Sequence, residues 1–218
     1  MSTTTTTPRT VVQRSQRLSR LAALAIAGQL VLAASALLLP IWSEYGLIGD
    51  NISELALGRF GFVQTAAFLL AGLGTLALAF AIRTLTAGSW GSRVGSLLIA
   101  VYGAGAILSA IFPTDRIDSQ ADLSSLSVTG AIHVAVAIAS FACVIVGMFV
   151  LIRTFAQAQR WRSFSRLSVF FPSSALALMI VQQEGPLIGL LQRLLVAVIS
   201  AWLILVALNV RSIVTPTK

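Results

Sequence analysis

The chain has 218 residues, 57% of them hydrophobic and only 10% charged, with a mean hydropathy of +0.92. Water-soluble domains carry about a quarter charged residues, so this composition excludes one. The net charge of +8 does not point to nucleic acid, because the basic residues stand singly or in short clusters at the ends of apolar runs, where charge sets membrane orientation.

Residues 1–20 are Thr-rich and then basic, with Arg9, Arg14, Arg17 and Arg20, which predicts a disordered cytoplasmic tail with a basic anchor. The apolar run 21–42 is the first span. Its basic start and Ala34-Ser35-Ala36 imitate a secretory signal and cleavage site, but the run continues past that site to spanning length. Further spans are expected at 60–82, 94–112, 128–152, 167–181 and 187–210. Each is roughly 15 to 25 residues, against about 20 needed to cross hydrocarbon. The fifth is short and carries Pro172, and residues 211–218 form a second tail. No segment shows the strict alternation of a transmembrane β-barrel. The expected fold is therefore an all-α membrane protein, six transmembrane helices in one bundle.

With the N-terminus inside, only Arg59, Arg116 and Arg193 of the 15 basic residues fall outside, together with all seven acids. The basic bias predicts that both termini are cytoplasmic. Gly130, His133, Ala137, Ser140, Val144 and Gly147 recur at spacings of three and four, which places them on one face of the fourth span. Small residues there let helix backbones approach. Gly105 with Ser109, and Gly185 with Gly189, have the same form.

The polar residues carry whatever function the chain has. Asn51 can cap a short helix, with Glu54 reaching back to complete a capping box. Pro113 ends the third span, and Asp115 either caps the turn or faces across the mouth of the bundle. His133 lies roughly 7 to 8 Å below the outer end of the fourth span. It either bonds a neighbouring carbonyl or acts as proton relay, base or metal ligand. Arg193, after Gly189 and Gln192, is costly within a span and needs a partner, with Glu184 and Asp115 as candidates for an ion pair, or else an anionic ligand. Gln29 and Gln64 suggest interhelical hydrogen bonds.

Asn51-x-Ser53-x-Leu55, then Phe112-Pro113-x-Asp115, His133 at the head of the fourth span, and Gly189-x-x-Gln192-Arg193 before a helix bearing Trp202 occur in that order. The pattern, over residues 20–210, resembles a family of bacterial and archaeal six-span membrane proteins catalogued as domain of unknown function 998. The resemblance implies a six-helix membrane fold and no particular chemistry.

The leading functional expectation is an outward-facing polar pocket for a lipid headgroup or amphiphilic small molecule. Arg193 would supply the anion contact and Asn51, Ser53, Asp115 and His133 the orienting hydrogen bonds, with Glu54, Glu184 and Gln192 secondary. The alternative is a membrane-embedded hydrolase with Ser53 as nucleophile, His133 as base and Asp115 as its orienter. A metal-dependent variant would use His133, Asp115 and Glu184. Transport or an accessory-subunit role ranks lower, since no pair of interrupted helices marks a midplane site. One cysteine, Cys143, and one histidine rule out by count an intrachain disulfide, a Cys/His zinc cluster and paired-histidine haem ligation. No cofactor is expected, and membrane lipid is the expected partner.

Overall fold

Hydrocarbon offers a backbone no hydrogen-bond partners, so a chain this apolar satisfies its own amides in helices. The computed structural model describes residues 8–116, 126–181 and 185–215, and among them there are α-helices and short 3-10 turns but no strand. The helices are α1 (Pro8–Leu38), α2 (Gly61–Leu85), α3 (Trp90–Ile111), α4 (Val128–Gln157), α5 (Arg162–Leu167), α6 (Phe170–Val181) and α7 (Ile188–Val214). All but α5 and α6 are long and apolar enough to cross a membrane.

Two expectations change. The fifth span is a helix of 12 residues, about 18 Å long at helical rise, against a hydrocarbon core of about 30 Å. Five long helices and one short one therefore stand where six spans, the fifth already short, were expected. Pro172 is the third residue of α6, where a missing N–H leaves no helical bond unmade. Ahead of it the chain breaks at Ser168 and Val169. The stretch expected to be disordered is also partly helical, since α1 begins at Pro8. Proline suits a first helical position, and Leu18 then packs into the core while Arg17 lies over the Phe80 ring.

Successive helices pack antiparallel in the order α1, α2, α3, α4, and α6 sits between α4 and α7, which returns against α1. Small residues set how closely they approach. A side chain at Gly28 would overlap the Leu70 carbonyl, one at Gly72 would press on the Gly103 carbonyl, and one at Gly105 would overlap Ser140. The expected α4 seam is real: Gly130, His133, Ser140, Val144 and Gly147 are buried, with Ala137 half-buried. The perimeter is apolar, with Leu30, Phe62, Leu73, Leu97, Ile138 and Leu205 exposed. In water such a surface would drive aggregation; against lipid it is matched.

A polar layer crosses the core at Gln29, which is 1% exposed. Its Nε2 donates to Thr75 Oγ1 at 3.0 Å, and its Oε1 accepts from Ser200 Oγ at 2.8 Å. One side chain of α1 thus ties α2 to α7 with both ends of its amide bonded, as a polar group in a dry interior requires. Towards the end where α1 begins, Phe155 stacks on Trp161 at 4.3 Å and neighbours Trp202, whose indole N–H donates to Ser168.

Candidate functional site

The end of the bundle where α1 finishes carries the polar loops. Pro40 lies in a 3-10 turn, Leu39–Ile41, that terminates α1. Asp50 Oδ2 accepts from the Gly46 N–H at 2.6 Å, closing a turn before Asn51. Asn51 then caps the 3-10 turn Ile52–Ala56, and Glu54 Oε1 accepts from both the Asn51 main-chain N–H (3.0 Å) and its side-chain amide (3.1 Å). The expected capping box between Asn51 and Glu54 is formed, and the Asn51 side-chain amide adds a second bond to Glu54. Ile52, Ser53, Glu54 and Leu55 are buried.

This loop is stapled to the start of α7. Ile52 N–H donates to Gln192 Oε1 at 2.6 Å, and Leu190 N–H donates to the Ile48 carbonyl at 3.0 Å. Gly189 permits the approach, because a Cβ there would overlap the Asp50 carbonyl oxygen.

Arg193 is 6% exposed, and its bonds run to main-chain carbonyls rather than to Asp115. Nε donates to the Ala36 carbonyl at 3.1 Å; Nη1 donates to Asp50 at 2.7 Å and to Gly189 at 3.1 Å. The first bond has a cause in the sequence. In a continuing helix the Ala36 carbonyl would accept from residue 40, which is Pro40 and has no N–H. Arg193 fills that orphan acceptor from across the bundle. Nη2 has no partner. Asp50 and Glu54 lie close enough for their charge to act on the guanidinium through space.

Asp115 and His133 belong to a separate group at the α3–α4 junction. Asp115 accepts from the Ser127 N–H (2.7 Å) and hydroxyl (2.8 Å), and Ser127 Oγ in turn accepts from the Gly130 N–H at the head of α4. Gly130 has no side chain to displace that carboxylate. His133 Nδ1 lies 2.8 Å from the Phe112 carbonyl; a carbonyl only accepts, so Nδ1 carries the proton. Asp115→Ala should lower stability by about 1 kcal/mol, the usual scale of a lost cap, read as a fall in the thermal midpoint in detergent.

The structure thus divides the expected site. Asn51, Ser53, Glu54, Gln192 and Arg193 come together where α1, α2 and α7 meet; Asp115 and His133 are engaged elsewhere, by Ser127 and Phe112. A hydrolytic triad needs a His133–Asp115 hydrogen bond that is not formed, and Ser53 lies in the other group. Glu184 lies outside the described residues, and among those described no three His, Cys, Asp or Glu side chains are grouped to hold a metal. Arg116, next to Asp115, reaches towards the loop that precedes Asn51, with its guanidinium 5.5 Å from the centre of the Tyr45 ring. Burial raises the Tyr45 phenol above its ordinary value, and the Arg116 charge works against that. The pairing of Arg193 with Ala36 went unforeseen, although Pro40 was its signal. Gln29 makes the expected interhelical bonds. Gln64, fully buried on α2, makes none with either amide atom among the described residues.

An apolar perimeter around antiparallel spanning helices, with a polar layer inside and folded loops at one end, defines a multi-pass helical membrane protein. Residues 17–209 match the family model described as "Protein of unknown function (DUF998)", and the chain belongs to that family. No curated protein and no solved structure gives a significant match to it.

Proposed function

We propose that this protein resides in a bacterial cytoplasmic membrane with both termini inside, and that the polar end at Asn51 receives the head of a membrane amphiphile, a lipid or an amphiphilic small molecule. The observation that carries the reading is Arg193: a guanidinium almost wholly buried, anchored by three carbonyls, with one nitrogen that no described residue bonds. Asn51, Glu54 and Gln192 hold the loop that covers it. Ser53 is within that loop, whereas Asp115 and His133 act as structural clasps of α3 and α4. The orientation is supported by arginine placement, since Arg83, Arg93, Arg153, Arg160 and Arg211 all lie towards the opposite end.

The amphiphile reading is tested by native mass spectrometry of full-length protein extracted from its membrane. Wild type should carry lipid through detergent exchange, and Arg193→Lys, which keeps the charge but has no counterpart of Nη2, should retain about tenfold less. Wild type free of lipid, or a lysine variant that retains it equally, would remove the reading. Orientation is checked separately with Cys143→Ala carrying one new cysteine. Ser43→Cys should react with an impermeant maleimide from outside intact cells, and Ser212→Cys only after lysis. The reverse pattern would invert the topology.

A further inference from the structure

The Gln29 layer has a counterpart two turns nearer the Asn51 end. Seven residues along each helix, about 10.5 Å at helical rise, lead from Gln29 to Ala36 on α1, from Ala71 to Gln64 on α2, and from Ser200 to Arg193 on α7. Gln29 meets Ala71 and Ser200 across the antiparallel bundle, so Ala36, Gln64 and Arg193 lie at one level on the corresponding faces. The 3.1 Å bond from Arg193 to the Ala36 carbonyl fixes the α1–α7 register at that height. Between the two levels lies an apolar plug that includes Leu32, Ala67 and Val196.

The layers differ in how their polar atoms are met. In the first, α1 supplies a glutamine that bonds α2 with one end of its amide and α7 with the other. In the second, α1 supplies the Ala36 methyl, which bridges nothing. Gln64 is 0% exposed, and among the described residues neither of its amide atoms nor Arg193 Nη2 has a hydrogen-bond partner. Buried polar side chains are nearly always hydrogen-bonded, so two such residues at one level call for a group that none of the described residues supplies.

Charge and hydrogen-bond sense narrow that group. Asp50 and Glu54 already act on the guanidinium, and a phosphate or carboxylate would bring a further negative charge among them. What is required is one oxygen that accepts from Arg193 Nη2 and donates to Gln64 Oε1, with a second acceptor for Gln64 Nε2. A free hydroxyl beside an ester carbonyl meets all three. We infer that Gln64 and Arg193 together bind the hydroxyl and ester head of an uncharged glycerolipid of the diacylglycerol class. The inference rests on the amphiphile reading above, and adds Gln64 and the ligand class to it.

Nanodiscs of dioleoylphosphatidylcholine, doped with either dioleoylglycerol or dioleoylphosphatidate, present identical chains on a hydroxyl or a phosphate head. Full-length protein reconstituted in each, then moved to detergent, is read by native mass spectrometry. Wild type should retain dioleoylglycerol about tenfold better than dioleoylphosphatidate. Gln64→Leu should lower that retention about tenfold, the factor one net hydrogen bond can carry. Ala36→Gln places on α1 the bridging amide that Gln29 supplies below; it should displace the lipid and raise the unfolding temperature, and it carries the test if Gln64→Leu does not fold. Equal retention by either variant, or preference for the phosphate head, overturns the hydroxyl assignment while leaving the Arg193 reading in place. Wild type that holds neither lipid, and comes from its own membrane carrying none, removes both.

Discussion

Gly189→Val should be the most damaging single substitution at the Asn51 end, lowering stability by about 3 kcal/mol. Its Cβ would overlap the Asp50 carbonyl and press on Arg193 Nη1. The obstacle on one side is backbone, so relief requires the loop to lift from α7. Lifting would break the bonds from Ile52 to Gln192 and from Leu190 to Ile48. Gly189→Ala meets the same oxygen and should cost about half as much. Thermal unfolding in detergent, with monodispersity checked by gel filtration, measures both. An alanine variant within about 0.5 kcal/mol of wild type would show that Asp50 does not sit against α7 as described.

Arg193→Ala should follow, at about 2 to 3 kcal/mol, because it leaves the Ala36 and Asp50 carbonyls without their side-chain donor. Part of that loss is specific to Pro40. Replacing Pro40 with alanine restores an N–H at the position from which a helical bond to Ala36 can form. In the Pro40→Ala background, Arg193→Ala should therefore cost about 1 kcal/mol less than in wild type, a coupling within reach of a double-mutant cycle. Strict additivity would mean that the arginine is not replacing the donor that proline lacks.

The spans, the capped turn and the seam were legible because each depends on neighbours along the chain. Apolar length marks a helix, Asn51 and Glu54 are three residues apart, and the α4 seam follows helical spacing. The shortness of α6 was half-visible in Pro172. Convergence of the polar side chains was not legible. Hydropathy correctly assigned Asp115, His133 and Arg193 to one end, but sharing an end is not contact. Helix order around the bundle decides contact: Arg193 faces α1 and the Asn51 loop, while His133 faces the end of α3. Charge pairing misled for a related reason. Orphan main-chain carbonyls are strong acceptors for a buried guanidinium, and they arise from backbone geometry that residue types alone do not display. Gln64 shows the opposite case, a residue whose type promised a bond that none of the described residues supplies.

The bond between Arg193 and Ala36 joins residues 157 positions apart, and so bears on biogenesis. A ribosome delivers α1 to the membrane well before α7. Until α7 arrives, the exit of α1 holds a carbonyl that Pro40 prevents its own backbone from satisfying. The bond that satisfies it forms only once α7 has been inserted.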